Sequence, residues 1–566
     1  MVGVAGRSKA CKTCKQRKIA CSLEEPECKI CIKSKRICGG YSRDRVFILD
    51  HRTKFSVEKS PKETIASSEE QSVAKSKTVK YPHKKTIVPA KQPRIVESTV
   101  STNSAYDAIW IFTTPSTRAV YREKILEEFL YIAILDPTNS IGDMQGDTEH
   151  NAGNWLRMLP SIPGFTVALE ASILAVCVAK LGRANNDSNL VRESLKFYVQ
   201  GLYQLQIALW TPSLMHREET VAACMALVLY EGLECPGMST EGRKHHVKGC
   251  SKLIRSRGPK SYSSDFAHQL FLSFRHIEIQ QAITERRATF LAEADWLEFP
   301  FEAFDKPLSG ELLDLVASIT TIVERGYRLL GPANDNSRLV DPTTAILASR
   351  KLFDNTWMLD SQLHDFFLRF KDSSTGPLYW EHTPKNGLCG IILPEFESVF
   401  PIRFQFPDLQ TAHTCMLYWA TVSIVWAGMK FVHRVLPWLE IRQTENRDHA
   451  PFLIFEYLMT LPSDFRSKPP STQHCYPSLN NRYDVTAPAR NICQSMDFCM
   501  QKSMAGVGYT ALFFPLKVAI ETFSDAPGCE RELAWAEEMM ERIAKGGLRI
   551  LDHLGTPMVK HYFMPG

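Results

Sequence analysis

Apolar side chains recur at helical spacing along the chain from about residue 105 onward. In the stretch 197–210 they fall at i, i+4, i+7 and i+11, which places them on one face of a helix. These residues are Tyr198, Leu202, Leu205 and Leu209. A comparable spacing recurs near the C-terminus at Leu533, Ala536, Met540 and Ile543. The pattern predicts amphipathic helices that each bury one face.

Two segments are apolar on nearly every side, which predicts helices enclosed by other helices. They are ALEASILAVCVAKLG at 168–182 and ETVAACMALVLYEGL at 219–233. The longest apolar run, 415–429, has 15 residues and includes Thr421 and Ser423. A bilayer span needs about 20 apolar residues, so this run predicts a buried helix and no membrane partner.

Helix ends and strand signals complete the prediction of fold class. The segment IRSRGP at 254–259 predicts a helix that ends with arginine in its last turn, Gly258 as its cap and Pro259 beyond it. Strand-like alternation is scarce apart from a proline-rich interval near 376–407. No repeat with a period of roughly 20 to 50 residues indicates a solenoid. We therefore expect a mostly α protein with one large all-α domain.

Basic residues concentrate at the N-terminal end. Residues 1–100 hold 23 Lys and Arg against 10 Asp and Glu, a net charge of +13, whereas the other 466 residues carry a net charge of −8. From about 51 to 104 the chain is rich in Ser, Lys and Glu and poor in large apolar residues, which predicts a flexible linker. The expected domains are 1–45, a linker over 46–104, and the helical domain over 105–566. A basic head on an acidic body indicates a polyanion-binding end.

Six of the 16 cysteines form two copies of the spacing Cys-x2-Cys-x6-Cys within residues 11–38. They are Cys11, Cys14, Cys21, Cys28, Cys31 and Cys38. Structural zinc takes four ligands, and the first 50 residues contain no histidine to complete a mixed site. Two Zn²⁺ ions need eight bonds from six thiolates, so two cysteines must bridge. The repeat makes Cys11 and Cys28 the equivalent pair and predicts two zinc ions per chain.

Disulfide bonds and metal buffering fit the cysteine repeat less well than a zinc cluster does. The N-terminus has no apolar stretch of secretory type, so an intracellular, reducing compartment is expected and disulfides are disfavoured. A metal-buffering protein would be rich in cysteine throughout and would lack a large apolar body. A single zinc site with four cysteine ligands and two spare thiols stays open.

The segment from Ala10 to Tyr41, with its cysteines in register and a basic run after the second cysteine, resembles the fungal Zn2Cys6 binuclear-cluster transcription factors. The resemblance implies that Cys11 and Cys28 bridge the two ions and that a short helix beginning near Cys14 enters the major groove of double-stranded DNA. It also implies that Lys18 reads a CGG-type triplet. Arg17 is the second candidate for a base contact, because a long cationic side chain can reach guanine N7 and O6. The candidates for phosphate contacts are Lys12, Lys15 and Lys35.

Most of 155–555 resembles the fungal-specific regulatory domain that accompanies such clusters, for example in ETVAACMALVLYEGLE and RRATFLAEADWLEFPF. The acidic, aromatic segment 293–305 suggests either packing or an activation segment that binds coactivators, and its place inside the resembled domain favours packing. No leucine heptad follows the cysteines, so a homodimer would have to use the body or the DNA.

A search for enzymatic motifs predicts that the chain is not an enzyme. GVGYTA at 506–511 fits a dinucleotide-binding pattern, but the residues before it are predicted to be helical where that motif requires a strand. No P-loop, HExxH or GxSxG is present.

The sequence therefore predicts a nuclear, sequence-specific DNA-binding regulator of RNA polymerase II transcription that contacts the transcription machinery or coactivators. The resemblance is to a branch common in filamentous fungi, which suggests control of a secondary-metabolite gene cluster. The second hypothesis is a zinc-stapled protein-interaction module on a helical scaffold without a DNA role.

Overall fold

The chain divides into two units, Met1–Val100 and Ser101–Gly566, and each is described by itself. The computed structural model describes residues 13–14, 17, 19, 21–22, 28–34 and 38 of the first unit, and 124–129, 154–162, 164–331, 339–383, 399–445, 450–461, 477–501, 508–545 and 549 of the second. The predicted linker, 46–104, lies outside the described residues.

The described parts are built almost entirely of helices. The first unit contains α1, Lys29–Lys33. The helices of the second unit are α2 Asn154–Arg157, α3 Val167–Ala184, α4 Ser188–Trp210, α5 Pro212–Met215, α6 Glu218–Glu234, α7 Glu241–Arg257, α8 Asp265–Thr284, α9 Ala294–Glu298, α10 Leu308–Leu330, α11 Pro342–Ser373, α12 Leu409–Glu445, α13 Ile454–Thr460, α14 Thr486–Cys499, α15 Gly508–Ser524 and α16 Glu530–Lys545. The predicted mostly α fold class is confirmed.

One small sheet occurs within the described residues, in the proline-rich interval near 376–407. Strand β1, Trp380–His382, pairs antiparallel with β2, Arg403–Gln405. Trp380 lies opposite Gln405, and His382 lies opposite Arg403. The two-stranded ribbon packs on α14 through β2, so the body gains stability there from packing rather than from an extended sheet.

Four helices described in the second unit, α3, α4, α8 and α11, begin at side-chain caps, which satisfy backbone N–H groups that have no partner inside the helix. Thr166 Oγ1 accepts the N–H of Leu169 at 3.3 Å at the start of α3. Asp341 Oδ1 accepts the N–H of Thr344 at 3.0 Å at the start of α11. The predicted helix end is confirmed: α7 ends at Arg257, followed by Gly258 at φ 82°.

The two segments that are apolar on nearly every side lie in the hydrophobic core of the body. Every residue from Ala171 to Ala179 in α3 and from Thr220 to Val228 in α6 is buried. Helix α3 packs against α4 and α6, so neighbours cover it around its circumference. This arrangement confirms the prediction of enclosed helices.

The longest apolar run, 415–429, lies inside α12. Among the described residues, one helical stretch, Leu409–Thr444, has the length and apolar composition that a membrane crossing requires. Of its most apolar 18-residue window, 78% is buried within the protein. Helices α11, α14 and α15 pack against α12. The burial favours the interpretation of this run as a core helix.

The acidic, aromatic segment 293–305 packs into the body. Trp296 on α9 is buried, and its ring makes an edge-on contact with Phe290 at 4.7 Å between centroids. Lys306 and Arg275 lie over the Phe301 ring at 4.4 and 5.2 Å. These contacts support the packing interpretation over an exposed activation segment.

A histidine pair lies where α8 meets α12. The rings of His276 and His413 lie 5.6 Å apart between centroids. Burial lowers the pKa of His276 to about 3, with further contributions from His413 and Arg275, and burial lowers the pKa of His413 to about 4. Both side chains are therefore neutral at physiological pH.

We expect the body to lose stability as the pH falls from about 6.5 toward 4. Because the folded-state pKa values lie below the ordinary 6.5, the unfolded chain binds more protons in this window, and stability is fully present only above it. Thermal unfolding midpoints of the full chain across this pH range measure the effect. His413→Gln should flatten the slope, whereas His245→Gln, at an exposed position on α7, should leave it unchanged. Equal slopes for all three proteins would contradict the assignment.

Candidate metal centre

Helix α1 holds two of the predicted ligands at its start. Cys28 is the N-cap, and its Sγ accepts the N–H of Cys31 at 3.3 Å. Cys31 follows three residues later, so one helical turn brings both sulfurs to the same side. Ser34 ends the helix, with its Oγ donating to Ile30 O at 2.8 Å. The Cys-x2-Cys spacing is therefore a helix-capping geometry that directs both thiols inward.

Three sulfurs form a compact, buried group. The Sγ atom of Cys14 lies 3.6 Å from Sγ of Cys28 and 3.9 Å from Sγ of Cys31, and all three atoms lie within 4.8 Å of one another. Each of the three side chains is 0% exposed. Cys21 and Cys38 pack against this group while remaining partly exposed. Five of the six predicted ligands thus lie in one cluster, and Cys11 lies outside the described residues.

The sulfur geometry fits a zinc ion. Zn–S bonds of about 2.3 Å in a tetrahedron place neighbouring sulfurs about 3.8 Å apart. The observed 3.6 and 3.9 Å lie on either side of that value. The sulfurs of a disulfide lie only about 2.0 Å apart, so Cys14 is disulfide-bonded to neither Cys28 nor Cys31. These three cysteines would hold the ion, and it would supply a rigid nucleus for the unit.

The contact between Cys14 and Cys31 bears on the number of ions. In a two-zinc cluster the two ZnS4 tetrahedra share their two bridging sulfurs. Non-bridging sulfurs bound to different ions then lie further apart than two sulfurs bound to the same ion. The 3.9 Å between Cys14 and Cys31 fits ligands of one ion. The expectation of two ions rests on the repeat of six cysteines, and the 3.9 Å contact is the observation that favours the single-site alternative.

The described contacts follow the sequence repeat. Cys14 and Cys31 are 17 residues apart, which is the offset between the two cysteine repeats. Arg17 and Ser34 have the same offset, and Arg17 Nη1 donates to Ser34 Oγ at 3.3 Å. Equivalent residues that contact each other are the signature of a two-fold relation. Both of these described pairs fit a local two-fold relation between the two repeats.

The structure places one of the predicted DNA contacts. Thr13 and Cys14 are helical, and the N–H of Arg17 donates to Thr13 O at 3.2 Å, so Arg17 lies one turn beyond the start of this helix. Its side chain is exposed. The other candidates, Lys12, Lys15, Lys18 and Lys35, lie outside the described residues. Ser34 was not identified from the sequence as a partner of Arg17. The signal for it was in the sequence, because Ser34 occupies the position in the second repeat that Arg17 occupies in the first.

Comparison with known proteins concerns the helical body. Residues 110–324 match the model of the fungal specific transcription factor domain. The uncharacterized protein AN5342 of Emericella nidulans is 26% identical over 158 residues, which are 28% of this chain and 32% of that protein. The match thus spans about a third of the relative. No solved structure matches. The domain match supports a role in transcription regulation and points to a regulator that is not an enzyme.

We expect two zinc ions per full chain, measured by elemental mass spectrometry after gel filtration. Cys28→Ala removes the predicted bridge and the N-cap sulfur of α1, so the content should fall below one ion. Cys499→Ala is the matched control, because that thiol is also buried but lies on α14 in the body, and it should retain both ions. Circular dichroism of each variant should still show the helical body. One ion in the unaltered chain would establish the single-site alternative with spare thiols.

Proposed function

We propose that the protein is a sequence-specific DNA-binding transcription factor of the nucleus that regulates transcription by RNA polymerase II. Its N-terminal unit binds two zinc ions through Cys11, Cys14, Cys21, Cys28, Cys31 and Cys38. The observation that carries the proposal is the buried group of three sulfurs with an exposed arginine one helical turn away, in a chain whose body matches a fungal transcription factor domain.

Electrostatics favours a nucleic acid as the ligand of this unit. Residues 1–45 carry 12 basic and 4 acidic side chains, a net charge of +8. Two zinc ions with six thiolates contribute a charge of −2, so the metal cluster itself does not attract DNA. The attraction comes from the surrounding Lys and Arg side chains, which the metal holds in fixed positions around it.

Base recognition is assigned to the first repeat. Lys18 reads a guanine of a CGG-type triplet in the major groove, and Arg17 is the second base contact. Ser34 fixes the Arg17 guanidinium from the side, since its own oxygen is anchored on α1. Lys12, Lys15 and Lys35 contact phosphates and set the orientation of the unit on the duplex.

The helical body acts as the regulatory part and contacts the transcription machinery or coactivators. Its match to the fungal specific transcription factor domain supports this role. Control of a secondary-metabolite gene cluster is proposed from the likeness of the N-terminal segment to a branch of regulators found in filamentous fungi. Mapping of bound sites across the genome would identify the target genes.

Removal of zinc should abolish DNA binding while leaving the body folded. The cysteine unit has few apolar residues to replace the metal as a core, so its folding is coupled to metal binding. Fluorescence anisotropy with a duplex containing CGG, before and after a chelator and after zinc is restored, measures the loss and its reversal. Circular dichroism in the same samples should change little. Unchanged affinity without zinc would contradict the proposal.

The affinity should also fall with added salt. Three phosphate contacts predict a loss of about 40-fold between 50 and 200 mM salt, since each contact contributes a slope of about −0.9. The same titration with a duplex lacking CGG gives the nonspecific reference. A protein-interaction module without a DNA role would show no preference between the two duplexes.

Single substitutions should separate the two kinds of DNA contact. Lys18→Ala should cost about 1 to 3 kcal/mol on the CGG duplex and relax the preference at one guanine. Lys12→Ala should weaken binding about equally on all duplexes. Lys545→Ala, in the last turn of α16, removes one positive charge from the body and should change neither. Binding of the three variants to a randomised duplex library, followed by sequencing, measures their affinity and sequence preference. If Lys18→Ala and Lys12→Ala both lose affinity equally on every sequence, Lys18 is not the base contact that the proposal assigns.

A further inference from the structure

Helix α4 presents an apolar stripe to its surroundings. The exposed fractions are 40% for Leu195, 46% for Val199, 59% for Tyr203, 37% for Ile207 and 69% for Trp210. Their spacing of four, four, four and three residues keeps them on one helix face. The stripe is about 22 Å long, because each residue adds 1.5 Å along the axis.

The opposite face of α4 is already used by the core. Tyr198, Leu205 and Ala208 are buried, and the helix packs against α3 and α6. An ordinary surface helix has one apolar face toward the core and a polar face toward solvent. On α4 the outer face carries five exposed large apolar side chains among its polar ones, so core packing does not account for them, and apolar surface patches of this kind mark interaction sites.

The stripe is symmetric about Tyr203. Val199 and Ile207 lie four residues to either side of it, and Gln200 and Gln206 lie three residues to either side. At the two ends of the stripe lie large apolar residues at similar distances from Tyr203: Leu195 is eight residues before it and Trp210 is seven residues after it. A second α4 that runs antiparallel therefore places Tyr203 opposite Tyr203, Val199 opposite Ile207, and glutamine amides opposite each other. The pattern is self-complementary, as an isologous contact requires.

The charges on this face favour the antiparallel direction. Arg192 and Lys196 lie near the N-terminal end of the exposed face, and the C-terminal half from Val199 onward carries no charged residue. Lys196 pairs with Glu193 at 2.6 Å while its side chain stays 72% exposed. In an antiparallel pair Lys196 lies opposite Trp210 and near the negative end of the partner helix, both of which attract a cation. A parallel pair would place Lys196 opposite Lys196.

We propose that the outer face of α4 is a homodimer interface, and that its occupant is the same face of a second copy of this chain in antiparallel orientation about Tyr203. A stable interface buries about 800 Å² on each partner, and one helix face supplies less than that. The dimer is therefore weak in free solution. Two copies bound to neighbouring DNA half-sites have a raised effective concentration, and this second step depends on the proposed function.

Disulfide trapping tests the geometry in the full chain. In Tyr203→Cys the two new thiols face each other across the dyad, so mild oxidation should give a covalent dimer on a nonreducing gel. Met358→Cys is the matched control, because Met358 is 58% exposed on α11 and away from the stripe. The unaltered chain gives the background from native cysteines. Covalent dimer in Tyr203→Cys at or below the level of Met358→Cys overturns the proposal.

Sedimentation equilibrium tests the energy of the contact without DNA. Val199→Lys, placed opposite Ile207, should raise the dimer dissociation constant at least about tenfold, which corresponds to about 1.4 kcal/mol. Leu347→Lys on α11, where the native side chain is 60% exposed, should leave it unchanged. If the chain stays monomeric at all concentrations, the proposal is overturned. The stripe would then be covered by another segment of the chain or by another protein. A dimer that fails to bind DNA leaves this inference intact and contradicts the proposed function instead.

Discussion

The N-terminal unit depends on the burial of thiol groups in a segment that has almost no apolar core. Cys14, Cys28 and Cys31 are fully buried, and Ile30 is the partly buried aliphatic side chain that packs against them. Burying so few apolar groups does not offset the entropy lost on ordering some 30 residues. A metal ion bound by the sulfurs would supply the missing free energy of folding. The positions of Arg17 and Ser34 are consequences of that constraint, because both are attached to helices that the sulfurs hold together.

The pseudo-two-fold relation explains why similar halves can have different roles. The contacts of Cys14 with Cys31 and of Arg17 with Ser34 join equivalent positions of the two repeats, so differences between the halves at such positions lie in their side chains. Arg17 in the first half corresponds to Ser34 in the second, and Lys15 corresponds to Ile32, whose side chain is 57% exposed. At these two positions the sequence of the first half has long cationic residues where the second has a short hydroxyl and an apolar group, whereas Gln16 of the first half corresponds to the exposed Lys33 of the second. Under the proposed function, the pair of Arg17 and Ser34 favours base reading by the first helix, with the second helix supporting Arg17 through Ser34.

Much of the fold followed from local patterns in the sequence. The enclosed helices α3 and α6 and the end of α7 at Gly258 were predictable, since continuous apolar runs and cap residues act within one element. The histidine pair between α8 and α12 was not, because it joins residues 137 positions apart. The outer stripe of α4 was also missed. Periodicity identified Tyr198 and Leu205 as the buried face. Val199 and Tyr203 lie on the other face, which mixes apolar and polar residues and which only the packing of α3 and α6 shows to be exposed. In the metal centre, spacing predicted the clustering of sulfurs, while the Ser34 contact depends on how the two halves pack.

Two weak contacts combine into strong binding when one scaffold holds them together. A single cysteine unit that reads a short triplet meets many matching sites in a genome, so its selectivity is low. The absence of a leucine heptad after the cysteines removes the usual way of joining two such units. An exposed helix face on the body provides another way, since the chain that bears it is also the chain that carries the cysteine unit. The apolar stripe then need not bind tightly by itself. Under the proposed function and the proposed dimer, its free energy would add to that of two DNA contacts only when both half-sites are occupied, which would make binding to paired sites selective.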